Sequence, residues 1–251
     1  MSTKNNMNFY ALIIGTEILN ARREDKHFKF VRDELQKYGY ELFATFIVKD
    51  DVKLMKSCYE LIKKDKNSIL FSFGGIGSTP DDLTREIASE IFTKKPVVRH
   101  KVFEQDIIDR FAEKAYPHRV HMADLPHGSE LLFNPVNNMS GFSLENRFFF
   151  VPGFPEMAHP MINSVISKLC SLRLEKFRLT LLAQTSEETL ISQMQLLPKH
   201  IELSSLPLFK DGKANVELSI SGYDEEEVQK HFEKFIQELE SKNILYKLLT
   251  I

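Results

Sequence analysis

The sequence has little of several features that would assign a protein to a class at once. It contains two cysteines, Cys58 and Cys170, in no Cys-x-x-Cys or Cys/His spacing, so neither a zinc site nor a disulfide framework is indicated. The formal net charge is -2 at pH 7, and no global positive field draws the chain to nucleic acid or anionic lipid. We therefore expect a cytoplasmic protein with no nucleic-acid partner.

Long apolar runs are also missing. No uninterrupted apolar stretch could span a bilayer, and the polar residues 1–6 are followed by no signal-peptide pattern. We expect no membrane partner for this reason. The motifs of three enzyme classes are absent as well, because there is no GxSxG elbow of serine hydrolases, no GK[ST] of Walker loops and no complete GxGxxG of dinucleotide-binding folds.

The sequence does contain an alternation of apolar strands and amphipathic helices. Three short apolar runs are typical of parallel strands covered on both faces: residues 9–14, 42–48 and 69–73. Apolar residues recur at helical spacing in the segments between them, residues 25–38 and 51–64. The alternation predicts an α/β domain over residues 1–172, with a mostly parallel sheet in a three-layer αβα arrangement.

The rest of the chain divides into two parts. In the first domain we predict further helices and strands: helices over 81–92, 102–115 and 156–172, and strands over 130–134 and 147–151. The pattern then changes, and we predict a separate small α+β subdomain over residues 173–251. Its predicted elements are strands at 177–182, 201–206, 216–220 and 244–249, helices at 186–196 and 225–239, and a hairpin turn at 210–212.

The most informative segment is the glycine-rich loop that follows the third strand. Glycine occupies three of its first four positions, which lets the backbone reach φ > 0 and approach a ligand closely. The predicted helix after it would present free N–H groups and a partial positive charge to an anion. We expect five residues of this loop to hold a phosphate: Gly74, Gly75, Gly77, Ser78 and Thr79.

An aspartate just after this loop, Asp82, has two interpretations. With Thr79 as N-cap and Pro80 at the first helical position, Asp82 falls at the reciprocal position of a capping box. Alternatively, a carboxylate beside a phosphate is repulsive unless a metal ion bridges the two or the carboxylate takes part in proton chemistry. The residues alone leave both roles open, a helix cap or a metal-binding or catalytic group.

Two arginines, Arg22 and Arg23, follow the first strand. Ligands of parallel α/β sheets bind beyond the carboxyl ends of the strands, so the loops after Ile14, Val48 and Phe73 should open on one edge. The arginines could neutralise phosphates there through bidentate contacts. A solvated, charged start to a helix is the alternative.

Several segments resemble one known family. The loop sequence GGIGSTPDDLT, residues 74–84, resembles the GGTGxTxDDxT signature of the molybdenum-cofactor biosynthesis domain, which MoaB/Mog-type proteins share with the amino-terminal domain of CinA-like proteins. Ile14–Leu19 resembles the family's GDELL, Val48–Asp51 its VGDD, and Val151–Met157 its LPGVPxEM. The charged stretch Arg22–His27 is similar to a bacterial CinA-like branch. The resemblance therefore implies a molybdopterin-binding-like fold.

The resemblance covers roughly residues 8 to 172 and implies roles for individual residues. Asp82 corresponds to the family's functional aspartate of the glycine loop, and Asp50 to the aspartate after the second strand. Both are expected to be catalytic and to place a divalent metal ion, Mg²⁺ or Co²⁺. Gly15 and Glu17 are expected near the ligand.

The sequence departs from the family pattern at two places. Thr16 stands where the family usually has aspartate, which removes one carboxylate. Residues 139–143, MSGFS, stand in place of the GTAPG-like loop that helps to hold ligand in pterin-binding members. Oligomers are common in this family, so the resemblance also implies a homodimer or homotrimer.

Three functions agree with these observations. The first is a metal-dependent pyrophosphatase that acts on an ADP-ribose-type nucleotide, since CinA-like relatives include such hydrolases. The second is a molybdopterin-binding, adenylyltransferase-like protein of molybdenum-cofactor biosynthesis. The third is a non-catalytic module that binds a nucleotide or a pterin. In each case the expected partner is a small molecule that carries phosphate.

Overall fold

The computed structural model describes residues 7–170, 176–210 and 212–249. The chain divides into two units, Met1–Arg173 and Leu174–Ile251. The predicted boundary after residue 172 lies outside the described residues, as do the polar residues 1–6 and Asp211 of the predicted hairpin turn.

The first unit contains eight strands and six α-helices among the described residues. The strands are β1 (Asn8–Ile14), β2 (Leu42–Val48), β3 (Ser68–Phe73), β4 (Val98–Arg99), β5 (Asp124–Leu125), β6 (Glu130–Leu132), β7 (Gly141–Leu144) and β8 (Phe148–Val151). The α-helices are α1 (Thr16–Leu19), α2 (His27–Gln36), α3 (Val52–Lys64), α4 (Thr84–Ala88), α5 (Lys101–Phe111) and α6 (Pro155–Leu169).

Six of these strands form one sheet in the order β2-β1-β3-β8-β7-β6. The neighbours β2, β1, β3 and β8 run parallel to one another, whereas β7 is antiparallel to β8 and β6 is antiparallel to β7. Every residue of β3 is buried, as expected for a central strand with helices on both faces. Its polar Ser72 is accommodated because the Tyr59 hydroxyl from α3 lies 2.9 Å from the Ser72 Oγ.

The sheet separates two apolar cores. On one face, alternate residues of β1 such as Tyr10 and Leu12 pack with α3, α4 and α5. On the other face, the intervening residues Phe9, Ala11 and Ile13 pack with α2 and α6. The first unit is therefore a three-layer αβα sandwich with a mostly parallel sheet, which confirms the predicted fold class.

The structure corrects several predicted elements. The helix predicted over 81–92 begins only at Thr84, and it changes to a π-helix over Ser89–Thr93. The helix predicted over 102–115 ends at Phe111 and continues as a 3₁₀ turn over Ala112–Ala115. Strand β7 was absent from the prediction, because its short sequence Gly-Phe-Ser-Leu gives no clear alternation.

The second unit is a small α+β structure with a separate antiparallel sheet, in the order β10-β11-β9-β12. Its strands are β9 (Phe177–Ala183), β10 (Glu202–Lys210), β11 (Lys213–Gly222) and β12 (Tyr246–Leu249), and its helices are α7 (Ile191–Gln195) and α8 (Glu225–Ser241). Helix α8 begins where the Asp224 carboxylate accepts a hydrogen bond from the Glu227 N–H at 3.0 Å. Its buried residues Phe232 and Phe235 pack on β9 and β11.

Strands β10 and β11 form the hairpin predicted at residues 210–212, since Lys210 pairs with Lys213. A two-residue connection of this kind suits the twist of adjacent strands. Among the residues that the structure describes, no helix is long and apolar enough to cross a membrane.

The end of β3 imposes a backbone geometry that only glycine tolerates. Gly74 has φ of +97°, and a Cβ atom at this position would lie 2.5 Å from the Ile14 carbonyl oxygen. Gly128 also has a positive φ, +81°, but nothing lies within 4 Å of its Cβ position. A side chain at Gly128 would meet only the cost of the backbone conformation, whereas one at Gly74 would also meet a close contact, so comparing the two positions separates these costs.

We expect Gly128→Ala to lower the free energy of unfolding by about 1 kcal/mol, the cost of a left-handed conformation. Gly74→Ala should lower it by about 3 kcal/mol or more, because the contact with a fixed carbonyl adds to that cost. Urea unfolding followed by circular dichroism would measure both values. An equal decrease in the free energy of unfolding of the two variants would show that the end of β3 shifts to relieve the contact at no cost in stability.

Candidate functional site

Four loops meet at the carboxyl edge of the parallel strands. The Gly15 N–H donates to the Val48 carbonyl at 3.0 Å, which joins the ends of β1 and β2. The Gly74 N–H donates to the Val151 carbonyl at 3.0 Å, which joins the ends of β3 and β8. The predicted loops therefore open on one edge of the sheet, where α/β proteins bind their ligands.

The residues at the start of α4 hold three carbonyl groups of the glycine loop. The Thr84 hydroxyl donates to the Gly74 carbonyl at 2.9 Å, and the Thr84 N–H donates to the Gly75 carbonyl at 3.0 Å. The Arg85 Nη1 donates to the Gly77 carbonyl at 2.7 Å. Because of these contacts, the three carbonyls point toward the start of α4.

The N–H groups of the same peptide units consequently point away from α4. In a trans peptide, the carbonyl and the following N–H lie on opposite sides, so the held carbonyls direct the N–H groups of Gly75, Ile76 and Ser78 outward. In the described part of the chain, none of these three N–H groups donates to a protein acceptor. Adjacent free N–H groups of this kind form an anion-binding concavity.

Asp82 lies against this loop but does not cap a helix. Its Oδ2 accepts hydrogen bonds from the Thr79 N–H at 2.8 Å and from the Thr79 hydroxyl at 2.6 Å. The Asp82 N–H donates back to the Thr79 carbonyl, which closes a turn. The predicted helix start at Thr79 and Pro80 is therefore wrong, because α4 begins at Thr84 and the bonds of a capping box stabilise a turn instead.

Asp50 is bound to the residue that replaces the family's aspartate. Its Oδ2 accepts hydrogen bonds from the Thr16 N–H at 2.9 Å and the Thr16 hydroxyl at 2.8 Å. The bond connects the loop after β2 to the first turn of α1. Where the family usually has a carboxylate, Thr16 thus presents a neutral hydroxyl group that donates to Asp50.

The remaining predicted residues lie in the loop after β1. The Glu17 carbonyl accepts hydrogen bonds from the N–H groups of Arg22 and Arg23, each at 3.0 Å. Arg22 also donates its Nε to the Asn20 side chain at 3.2 Å. Arg23 lies 3.8 Å from the Glu17 carboxylate and 5.3 Å from the Phe154 ring centroid. Both arginines are exposed, and their contacts with Asn20, Glu17 and Phe154 do not hold them over the glycine loop.

Arg85 was not predicted from the sequence, although it is the most buried cation near the loop. Its side chain is 4% exposed, and its Nε has no hydrogen-bond partner among the described residues. Burial lowers the pKa of the guanidinium, while the charges of Glu86, Asp82 and Asp124 act in the opposite direction. No local pattern distinguishes an arginine turned into the protein from one that faces water.

The pairing of two histidines behind the loop was also not predicted. His27 on α2 is buried and stacks on Phe73, with ring centroids 4.3 Å apart. Its Nε2 lies 3.2 Å from the Gly153 carbonyl oxygen, which can only accept, so this nitrogen carries the proton. The Nδ1 of a neutral His27 then accepts a hydrogen bond from the His159 Nε2 at 3.2 Å.

This pair supports the loop indirectly. Gly153 is packed closely against the glycine loop, since a Cβ atom at Gly153 would lie 3.4 Å from the Gly74 Cα. A small recess beside Gly153 is lined by Glu17, Arg23, His27, Phe73 and others of the same edge. The histidines therefore connect α2 and α6 to the floor of the candidate site.

The carboxylates can be compared with the needs of a metal ion. Within residues 7–170, 176–210 and 212–249, no group of three or more His, Cys, Asp or Glu side chains could hold one. Asp50 and Asp82 nevertheless each retain an Oδ1 that has no hydrogen bond to the described protein. Mg²⁺ is commonly bound through one or two carboxylates together with waters and substrate phosphates. A cation at this edge would therefore need waters or the phosphate of a ligand besides these carboxylates.

Comparison with known families agrees with this geometry. Residues 10–171 match the sequence model of the family described as "probable molybdopterin binding domain". The chain belongs to this family. The match contains all of the loops that meet at the carboxyl edge of the sheet, and it confirms the resemblance to MoaB- and CinA-like domains.

Individual relatives support the same assignment. A CinA-like protein of Flavobacterium psychrophilum is 29% identical over 241 residues, which are 90% of this chain and 57% of that protein. The chain thus spans little more than half the length of that relative. Protein TK1472 of Thermococcus kodakarensis is 29% identical over 251 residues, which are 93% of this chain and 96% of that protein.

A solved structure confirms the fold. The crystal structure of the protein CinA, of unknown function, from Thermoplasma acidophilum aligns with a TM-score of 0.58 at 22% sequence identity. The alignment covers 65% of this chain and 98% of that one. At this level of identity the likeness establishes a shared architecture, and the chemistry of the site has to be argued from its own residues.

The histidine pair makes the stability of the protein depend on pH. Burial lowers the pKa of His159 from 6.5 to about 4, with a further contribution from His27, against opposing charges of Glu156, Asp25 and Glu34. The unfolded chain therefore binds a proton at a higher pH than the folded chain does. Stability consequently rises with pH between about 4 and 6.5 and is lost as the pH falls through that window.

We expect His159→Gln to flatten this dependence, since glutamine keeps a donor for the His27 Nδ1 but does not titrate. The measurement is the free energy of unfolding in urea at several pH values between 4 and 7. His118→Gln, at an exposed position, is the control and should retain the wild-type slope. A wild-type slope in the His159 variant would mean that this residue does not stay neutral in the folded protein.

Proposed function

We propose that the glycine loop binds the phosphate of a small molecule through outward-facing N–H groups. The observation that supports this most is the orientation of three peptide units, in which Thr84 and Arg85 hold the carbonyls and leave the N–H groups of Gly75, Ile76 and Ser78 unpaired. Backbone N–H groups arranged in this way complement phosphate oxygens. Ser78 adds a hydroxyl group at the rim of the loop, whereas the Thr79 hydroxyl donates to Asp82.

We further propose that the ligand is an ADP-ribose-type nucleotide and that its diphosphate is hydrolysed. In this reaction water attacks one phosphorus atom, the P–O–P bond breaks, and AMP and a sugar phosphate leave. A divalent ion, held by Asp50 and Asp82, would neutralise the phosphoryl oxygens and lower the pKa of a bound water. The loop N–H groups would orient the diphosphate and stabilise the charge that develops on it.

The carboxylates are suited to this proposal for a local reason. Hydrogen bonds from Thr16 and Thr79 occupy one oxygen of Asp50 and one of Asp82, which fixes the direction of the other oxygen. A group that is oriented before the ligand arrives loses little conformational freedom on binding. Glu17 and the exposed Arg22 and Arg23 lie on the same edge, where the less buried part of a nucleotide would pass.

A second candidate is the binding of a pterin that carries phosphate, as the family description suggests. It is favoured by the family match over residues 10–171. Against adenylyl transfer to such a ligand, residues that replace the GTAPG-like loop continue into β7, where Gly141, Phe142 and Ser143 are buried in the sheet. Binding without turnover would make the chain a sensor or carrier of the same class of ligand.

The decisive experiment is a chromatographic hydrolysis panel with ADP-ribose, FAD, NAD and ATP, each in Mg²⁺ or Co²⁺. We expect AMP to be released from ADP-ribose by the wild type, and the rate to fall by about 100-fold or more in Asp82→Asn. Asparagine keeps an oxygen that can accept from Thr79, so the turn should persist while the charge is lost. Removal of the divalent ion with EDTA should abolish release.

Asp109→Asn is the control, because Asp109 is an exposed carboxylate on α5 whose partner is Gln105; its rate should stay near that of the wild type. Equal rates in the wild type and Asp82→Asn would contradict a catalytic role and leave Asp82 as a structural residue of the turn. No turnover in any sample, with a ligand-induced rise in melting temperature, would favour the binding module. AMP transfer that requires a pterin would favour the second candidate.

A further inference from the structure

Arg85 combines two properties that rarely occur together in a residue with only a structural role. It is only 4% exposed, yet no carboxylate among the described residues forms an ion pair with it. Among the same residues, its one hydrogen bond goes from Nη1 to the Gly77 carbonyl, and its Nε–H has no partner. Burial of a charge without a salt bridge opposes folding, and the charges of Glu86, Asp82 and Asp124 offset this only in part, so an anion that arrives nearby would relieve the remaining cost.

The Gly77–Ser78 peptide unit connects this charge to the ligand side of the loop. A guanidinium that donates to a carbonyl polarises the peptide, and the N–H at the other end of the unit becomes a stronger donor. The Ser78 N–H is that donor. Thr84 acts in the same way on the Gly74 and Gly75 carbonyls, but it carries no charge.

We infer that Arg85 is a positioning residue that makes the loop prefer a diphosphate to a monophosphate, through the Ser78 N–H. The inference rests on the proposed phosphate site, and it assigns the selectivity to an internal cation rather than to the exposed Arg22 and Arg23. A diphosphate gains more from the polarised N–H than a monophosphate does, because its second phosphate supplies a further charged acceptor, and a charged acceptor strengthens a hydrogen bond.

The test compares the binding of ADP and AMP by calorimetry, since the two differ only by one phosphate. The ratio of the two dissociation constants reports what the second phosphate contributes to binding. In Arg85→Gln, which keeps a donor but loses the charge, we expect the preference for ADP to fall by about fivefold. In Arg85→Lys, which keeps the charge, the ratio should stay near the wild-type value.

Arg147→Gln is the matched control for loss of an internal arginine. Arg147 donates to the Ser68 and Asp65 carbonyls at the opposite edge of the sheet, so its removal should leave the ratio unchanged. An Arg85→Gln variant that binds ADP and AMP with the wild-type ratio would overturn the inference while the phosphate site stands. A wild-type protein that binds neither nucleotide would overturn the phosphate site itself, and the inference with it.

Discussion

Three hydrogen bonds from the first residues of α4 fix the direction of the peptide units in the glycine loop. The donors are the hydroxyl and N–H of Thr84 and the guanidinium of Arg85. Glycine at position 74 permits the close approach to β1 that these bonds require. The loop is thus tied to the sandwich, and the direction of its free N–H groups follows from how α4 is packed against the sheet.

The sequence alone predicts much of this architecture. The apolar run of β3 indicates a strand buried on both faces, and the structure confirms it. The limits of α4 could not be predicted, because Pro80 and Asp82 form a favourable helix start by local rules. The structure uses the same hydrogen-bonding groups to close a turn and delays the helix to Thr84.

The candidate site is predictable only in part, for a similar reason. Glycines and acids such as Gly74 and Asp82 are visible because they follow a strand at a recognisable spacing. The roles of Arg85, His27 and His159 depend on contacts between residues far apart in sequence, or on which way a side chain turns. Periodicity and spacing indicate the buried face of a helix or strand and the position of a turn, but they do not indicate which charged side chain is buried.

The position of β8 in the sheet also governs the order of events during synthesis. The strands β1, β2 and β3 can pair once the first 73 residues or so have left the ribosome. The Gly74 N–H, however, pairs with the carbonyl of Val151, and Gly153 packs beside it. A nascent chain therefore lacks the Val151 acceptor of the Gly74 N–H and the packing of Gly153 until β8 has emerged, although Thr84 and Arg85 are synthesised earlier.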